Sequence, residues 1–142
     1  MKRLFRNATL INEGRSFTAS LLTSGTQIEK IYEGTDSFPE QLLSEVDELV
    51  PAEGLWLLPG CIDDQVHFRE PGLTHKATIE SESQAAIAGG TTSFMEMPNT
   101  KPPTTSLEAW QWKMDRAAET SWANYSFFFG GTNDNADELP RI

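Results

Sequence analysis

After Pro59-Gly60 the chain switches back and forth between a strand period and a helix period, and this alternation limits the fold more than any other feature. "CIDDQVHF" reads as a strand. "THKATIESESQAAIAGG" reads as a helix with Thr74 as N-cap, Ile79, Ala86 and Ile87 on one face, and Gly89-Gly90 as its stop. "TTSFMEMPN" is a second strand, closed by Pro98, and "TSLEAWQWKMDRAAET" a second helix. Its apolar stripe is Leu107, Trp110, Met114 and Ala117 or Ala118. "ANYSFFFGGT" is a third strand whose Phe127-Phe128-Phe129 run suits burial on both faces, and "NDNADELPRI" is expected to open a third helix. Strands joined through helices by short links are parallel, with right-handed crossovers. Three of them make an open sheet or part of a barrel, and in both, ligands bind at the C-terminal strand ends.

Polar clusters occupy those three ends: His67 to Glu70, Pro98 to Lys101, and Gly130 to Asp134. That recurrence points to one shared site. Before residue 60 the pattern differs. "RLFRNATLI", "SFTASLLTS" and "QIEKIYEG" are short runs separated by turn signals, an antiparallel, hairpin-rich reading. "SFPEQLLSEVDELVPAEG" is ambiguous between a helical turn near Pro39-Glu40 and a strand at "EVDELV".

In the first strand of the second half, Gln65, His67 and Arg69 share one side, while Asp64, Val66 and Phe68 share the other. A polar face calls for something polar bound there. His67 is a good zinc ligand, whereas the neutral amide of Gln65 suits harder cations. On spacing alone, a lone histidine is more often a hydrogen-bonded strand-end residue than a ligand. Arg69 is either an exposed charge or a fork for a carboxylate, and Asn99 either a turn residue or a donor beside it. Cys61, the single cysteine, reads as a small buried hydrophobe, and His75 as a surface residue. One cysteine excludes an internal disulfide and a cysteine-rich zinc cage.

"PGCIDDQVHFREPG" followed by "AAIAGGTTSFMEMPNTKPPTT" resembles the N-terminal portion of the dihydroorotases, in the amidohydrolase superfamily of cyclic amidohydrolases. The resemblance implies an α/β fold. Residues 1–55 would be the N-terminal part of a small β-sandwich, and 56–142 the first three βα units of a metal-dependent-hydrolase (β/α)8 TIM barrel. Allantoinases and hydantoinases share the fold and the Pro-Gly-x-Ile-Asp lead-in, while "MPNT" favours dihydroorotase. The implied reaction is reversible conversion of N-carbamoyl-L-aspartate to dihydroorotate in pyrimidine biosynthesis, with a metal-activated hydroxide attacking a cyclic amide carbonyl. The implied cofactor is zinc, one or two ions. His67 matches the second histidine of the family's His-x-His metal pair, and Arg69 and Asn99 match the residues that hold the substrate carboxylate. Gln65 stands where the family has the first histidine, which leaves open a single metal, weaker binding, or a catalytically impaired scaffold.

The implied proton shuttle and later ligands are expected beyond Ile142, because a (β/α)8 barrel needs about 250 residues and this chain has 142. A fragment of a longer enzyme is the expectation, partly folded, dimeric or aggregation-prone when alone because its sheet edges are open. The full-length protein is expected to be a cytoplasmic homo-oligomer acting on a small molecule. A net charge of −10 argues against a nucleic-acid partner, and no apolar run is long enough for a membrane helix.

Overall fold

A computed structural model describes residues 1–142 as two compact units, Met1–Pro59 and Gly60–Ile142. In the first unit, β1 (Lys2–Asn12), β2 (Arg15–Ser24) and β3 (Gln27–Glu33) form the expected antiparallel meander. The ambiguous segment resolves into both of its alternatives. A short helix, α1 (Leu42–Glu45), precedes β4 (Glu48–Pro51), and β5 (Trp56–Leu57) follows. Both late strands pair with β1 in parallel, so the sheet is mixed rather than purely antiparallel. Its interior is mostly aliphatic: Leu4, Leu22 and Leu42 pack together, as do Ala8, Leu10, Ala19 and Ala52, and the backbone amide of the buried Asn7 donates to the Ser20 hydroxyl at 3.0 Å.

The second unit is a parallel sheet, ordered β6 (Cys61–Val66), β7 (Thr91–Glu96), β8 (Asn124–Phe127). The crossovers are α2 (Ile79–Ala88) and α3 (Leu107–Thr120). Phe68, Ile79, Phe94, Ala117, Ala123 and Phe127 form the core between sheet and helices. Phe68 and Phe94 meet with ring centroids 4.4 Å apart, and burying such rings dominates the driving force of a small core.

Several expectations are corrected. The N-cap of α2 is Thr78, not Thr74. The Thr78 hydroxyl accepts from the Ser81 amide at 3.1 Å and the Ser81 hydroxyl accepts from the Thr78 amide at 3.1 Å, satisfying two orphan donors at once. Thr74 lies in the preceding turn. Ile87 is exposed: the buried residues of α2, Ile79 and Ser83, lie in its first half, and Ile87 stands a further turn along and about 80° round from Ile79. On α3 the choice between Ala117 and Ala118 is settled for Ala117, which is buried while Ala118 is exposed, as one of the two expected alternatives. Cys61 is exposed, since β6 is an edge strand with one neighbour. β8 ends at Phe127, so Phe128 and Phe129 are half-buried outside the strand. The last segment forms only a 3-10 turn, Leu139–Arg141. There Glu138 accepts the orphan amide of Leu107 at 2.7 Å and thereby caps α3 from outside.

Candidate functional site

The ends of β6 and β7 converge. The Met97 amide donates to the Val66 carbonyl at 3.0 Å, the last rung between them. Beyond it two loops pack closely, with the Lys101 amide donating to the Pro71 carbonyl at 3.2 Å. Gly72 makes this approach feasible. Its φ is +82°, and a Cβ there would overlap the Lys101 carbonyl. Val66 and Phe68 pack with the core on the helix side, so His67 faces the opposite side of the sheet and is exposed. Gln65 is also exposed, in a stretch where the register shifts between Asp63 and Val66 and its own amide donates to Asp63 Oδ1 at 3.1 Å.

His67 and Asn99 are brought together: His67 Nδ1 lies 2.9 Å from Asn99 Oδ1. With Asn99 presenting its oxygen, Nδ1 carries the ring proton and the Nε2 lone pair is left for a ligand. A second partner that fixes the tautomer is the usual companion of a metal-bound histidine. The residues therefore fit one ligand position of a divalent metal. They do not make a whole shell, because no three His, Cys, Asp or Glu side chains gather anywhere in the chain.

Arg69 lies past the strand end with φ +74°. An L-residue in the left-handed region costs roughly 1–2 kcal/mol, so its surroundings must hold it there. Its amide donates to Glu96 Oε1 at 3.0 Å, and its carbonyl accepts from the Leu73 amide at 3.1 Å. The next residue, Glu70, is buried, and it accepts from the Ile79 amide at 2.8 Å and from Arg116 Nε at 2.9 Å. The Arg69 guanidinium, unlike those of Arg6 and Arg116, joins no ion pair.

Glu96 and Lys113 are not among the site residues expected from the sequence. Glu96 Oε2 sits 2.9 Å from Lys113 Nζ, and the two side chains are 0% and 1% exposed. Burial pushes the Glu96 carboxyl up and the Lys113 ammonium down, while the attraction between them opposes both shifts. Oε2 accepts no hydrogen bond, and its contact with Lys113 is an ion pair. The sequence does carry a signal: opposite charges stand at positions that patterning marks as buried, two residues after Phe94 and between Trp110 and Ala117. The third cluster is tied to the segment that follows the second: Asn135 Nδ2 donates to the Thr105 carbonyl at 2.8 Å and to the Gly130 carbonyl at 2.9 Å.

The sequence pattern of the family described as dihydro-orotase-like matches residues 54–139, both converging loops included. The chain belongs to this family. The dihydro-orotase-like chain is 45% identical over 109 residues to the dihydroorotase of Wolbachia sp. subsp. Brugia malayi, covering 77% of this chain and 24% of that protein. It is 33% identical over 140 residues to the allantoinase of Deinococcus radiodurans, covering 98% of this chain and 30% of that one. The L-hydantoinase (dihydropyrimidinase) of Arthrobacter aurescens superposes with a TM-score of 0.85 at 26% identity, over 98% of this chain and 30% of its own. The chain thus spans between 24% and 30% of the length of these relatives, and it matches the N-terminal part of the hydantoinase fold. No helix is long and apolar enough to cross a membrane.

Proposed function

We propose that this chain is the N-terminal portion of a metal-dependent cyclic amidohydrolase whose reaction interconverts N-carbamoyl-L-aspartate and dihydroorotate. The observation that carries this reading is the 2.9 Å contact between His67 and Asn99, which joins the "HFREPG" and "MPNT" loops, the first of which carries Arg69. His67 Nε2 would hold zinc, with the remaining donors supplied by strands this chain does not contain. The metal, when bound, supplies Lewis acidity toward the amide carbonyl and an attacking water. Arg69 grips the substrate carboxylate as a two-pronged donor. The Asn99 oxygen is committed to His67, so its Nδ2 is the group left to donate to the same carboxylate. One side chain thus orients the metal ligand and the substrate together. The protein would act in pyrimidine biosynthesis, as a cytoplasmic homo-oligomer.

The test is turnover of dihydroorotate, hydantoin and allantoin by the full-length enzyme. Dihydroorotate is expected to be preferred, and Arg69→Ala is expected to cost about 1.5–3 kcal/mol in kcat/KM for it, the range for a hydrogen bond to a charged group. A preference for hydantoin or allantoin would assign a different ring. Gln65 favours a second reading, a catalytically impaired scaffold, because an amide stands at a metal position. In that case wild type turns over none of the three rings, and Gln65→His tightens metal binding.

A further inference from the structure

We propose that the buried pair Glu96–Lys113 is a positioning device for Arg69, and so sets recognition of the substrate's carboxylate from the opposite side of the sheet. This rests on the role given to Arg69 above. Glu96 ends β7 facing the helices, on the same side as Phe94, and is fully buried. Its two oxygens serve different masters. Oε1 accepts the amide of Arg69 at 3.0 Å, and Oε2 lies 2.9 Å from Lys113 Nζ. Lys113 Nζ is further placed 3.5 Å from the Met97 carbonyl and 5.4 Å from the centre of the Phe127 ring. Two charges removed from water are costly, and an aliphatic pair would fill this space as stably or more so. What an aliphatic pair lacks is an acceptor for the amide of a residue held at φ +74°. A charged acceptor makes the stronger hydrogen bond, and the Lys113 ammonium 2.9 Å away favours that charge against the burial that opposes it. Glu96 touches no substrate. It acts through the backbone of Arg69, and the direction of the guanidinium follows from that backbone.

The test compares two double variants in the full-length protein, Glu96→Gln/Lys113→Met and Glu96→Ala/Lys113→Met. Both remove both charges, and only the first keeps an oxygen for the Arg69 amide. Calorimetry measures the Kd of dihydroorotate and of dihydrouracil, the same ring without the carboxylate. Loss of the acceptor is expected to weaken dihydroorotate binding about tenfold between the two variants, on the order of one lost hydrogen bond, and to leave dihydrouracil unchanged. Circular dichroism is expected to be the same for both. Equal dihydroorotate affinities, with Arg69→Ala still selectively weak, would overturn the positioning role alone. Loss of affinity for both ligands alike would also overturn it, as general loosening of the fold. If Arg69→Ala itself binds dihydroorotate normally, the carboxylate assignment fails and the positioning role falls with it.

Discussion

The two units handle charge in opposite ways. In Met1–Pro59 the ion pairs Arg3–Glu48, Arg6–Asp36 and Arg15–Glu33 lie on the surface, with side chains 37% to 60% exposed. The interior beneath them is uncharged, aliphatic apart from the buried polar pair Asn7 and Ser20. In Gly60–Ile142, Glu96–Lys113 is sealed from solvent and Glu70–Arg116 is partly so. Exposed pairs add little to stability, and buried pairs add little net while being costly to break. Buried charge is therefore poor evidence of a stability device. Here both pairs reach the segment Arg69–Glu70, whereas the first unit buries no ion pair.

The largest expected effect breaks that contrast. Lys113→Met alone strands the Glu96 carboxylate and is expected to destabilise the second unit by about 3–5 kcal/mol. Arg3→Met in the first unit is expected to cost about 1 kcal/mol or less. Urea unfolding of both variants in the full-length protein checks the difference, and comparable losses would erase the distinction drawn between the units. Next in size is Asn99→Ala, which frees the His67 ring and is expected to weaken metal affinity about 10–100-fold, read by competition with a chelating dye. Thr78→Ala removes the α2 cap and is expected to cost about 1 kcal/mol, read in the same unfolding experiment.

The smallest effect is electrostatic and belongs to the first unit. Hydrogen bonds from the Arg6 guanidinium and the Asn7 amide hold the Asp36 carboxyl below its ordinary value of 3.8. A depressed carboxyl stabilises the fold above its unfolded value, and the contribution is lost as pH falls through the folded one. The stability difference between wild type and Asp36→Ala is therefore expected to be present at neutral pH and to shrink as pH drops below 3.8. A difference that grows on acidification would reverse the sign.

The strand–helix alternation and the meander before it were legible because period and turn residues are local signals. The site was half legible. His67 and Asn99 stand out as polar groups at strand ends, and the 2.9 Å contact between them follows from two parallel strands ending side by side. Three features were not legible for identifiable reasons. β4 and β5 return to pair in parallel with β1, a pairing at long sequence separation that no local pattern encodes. The start of α2 is ambiguous in the sequence because Thr74 and Thr78 are both N-cap types, and only the reciprocal bond with Ser81 decides for Thr78. Glu96 and Lys113 are not legible as a buried pair because charge is ordinarily a surface feature, and the two meet only once the sheet and α3 are stacked.

The most direct test of the central claim, that the joined loops form part of a metal-dependent amidohydrolase site, is zinc content measured together with carbamoyl-aspartate turnover. Full-length wild type and His67→Ala are compared side by side. Wild type is expected to retain zinc through dialysis and to interconvert the ring and the open acid, and His67→Ala to lose metal and rate together. His67→Ala with full zinc and full rate would contradict it.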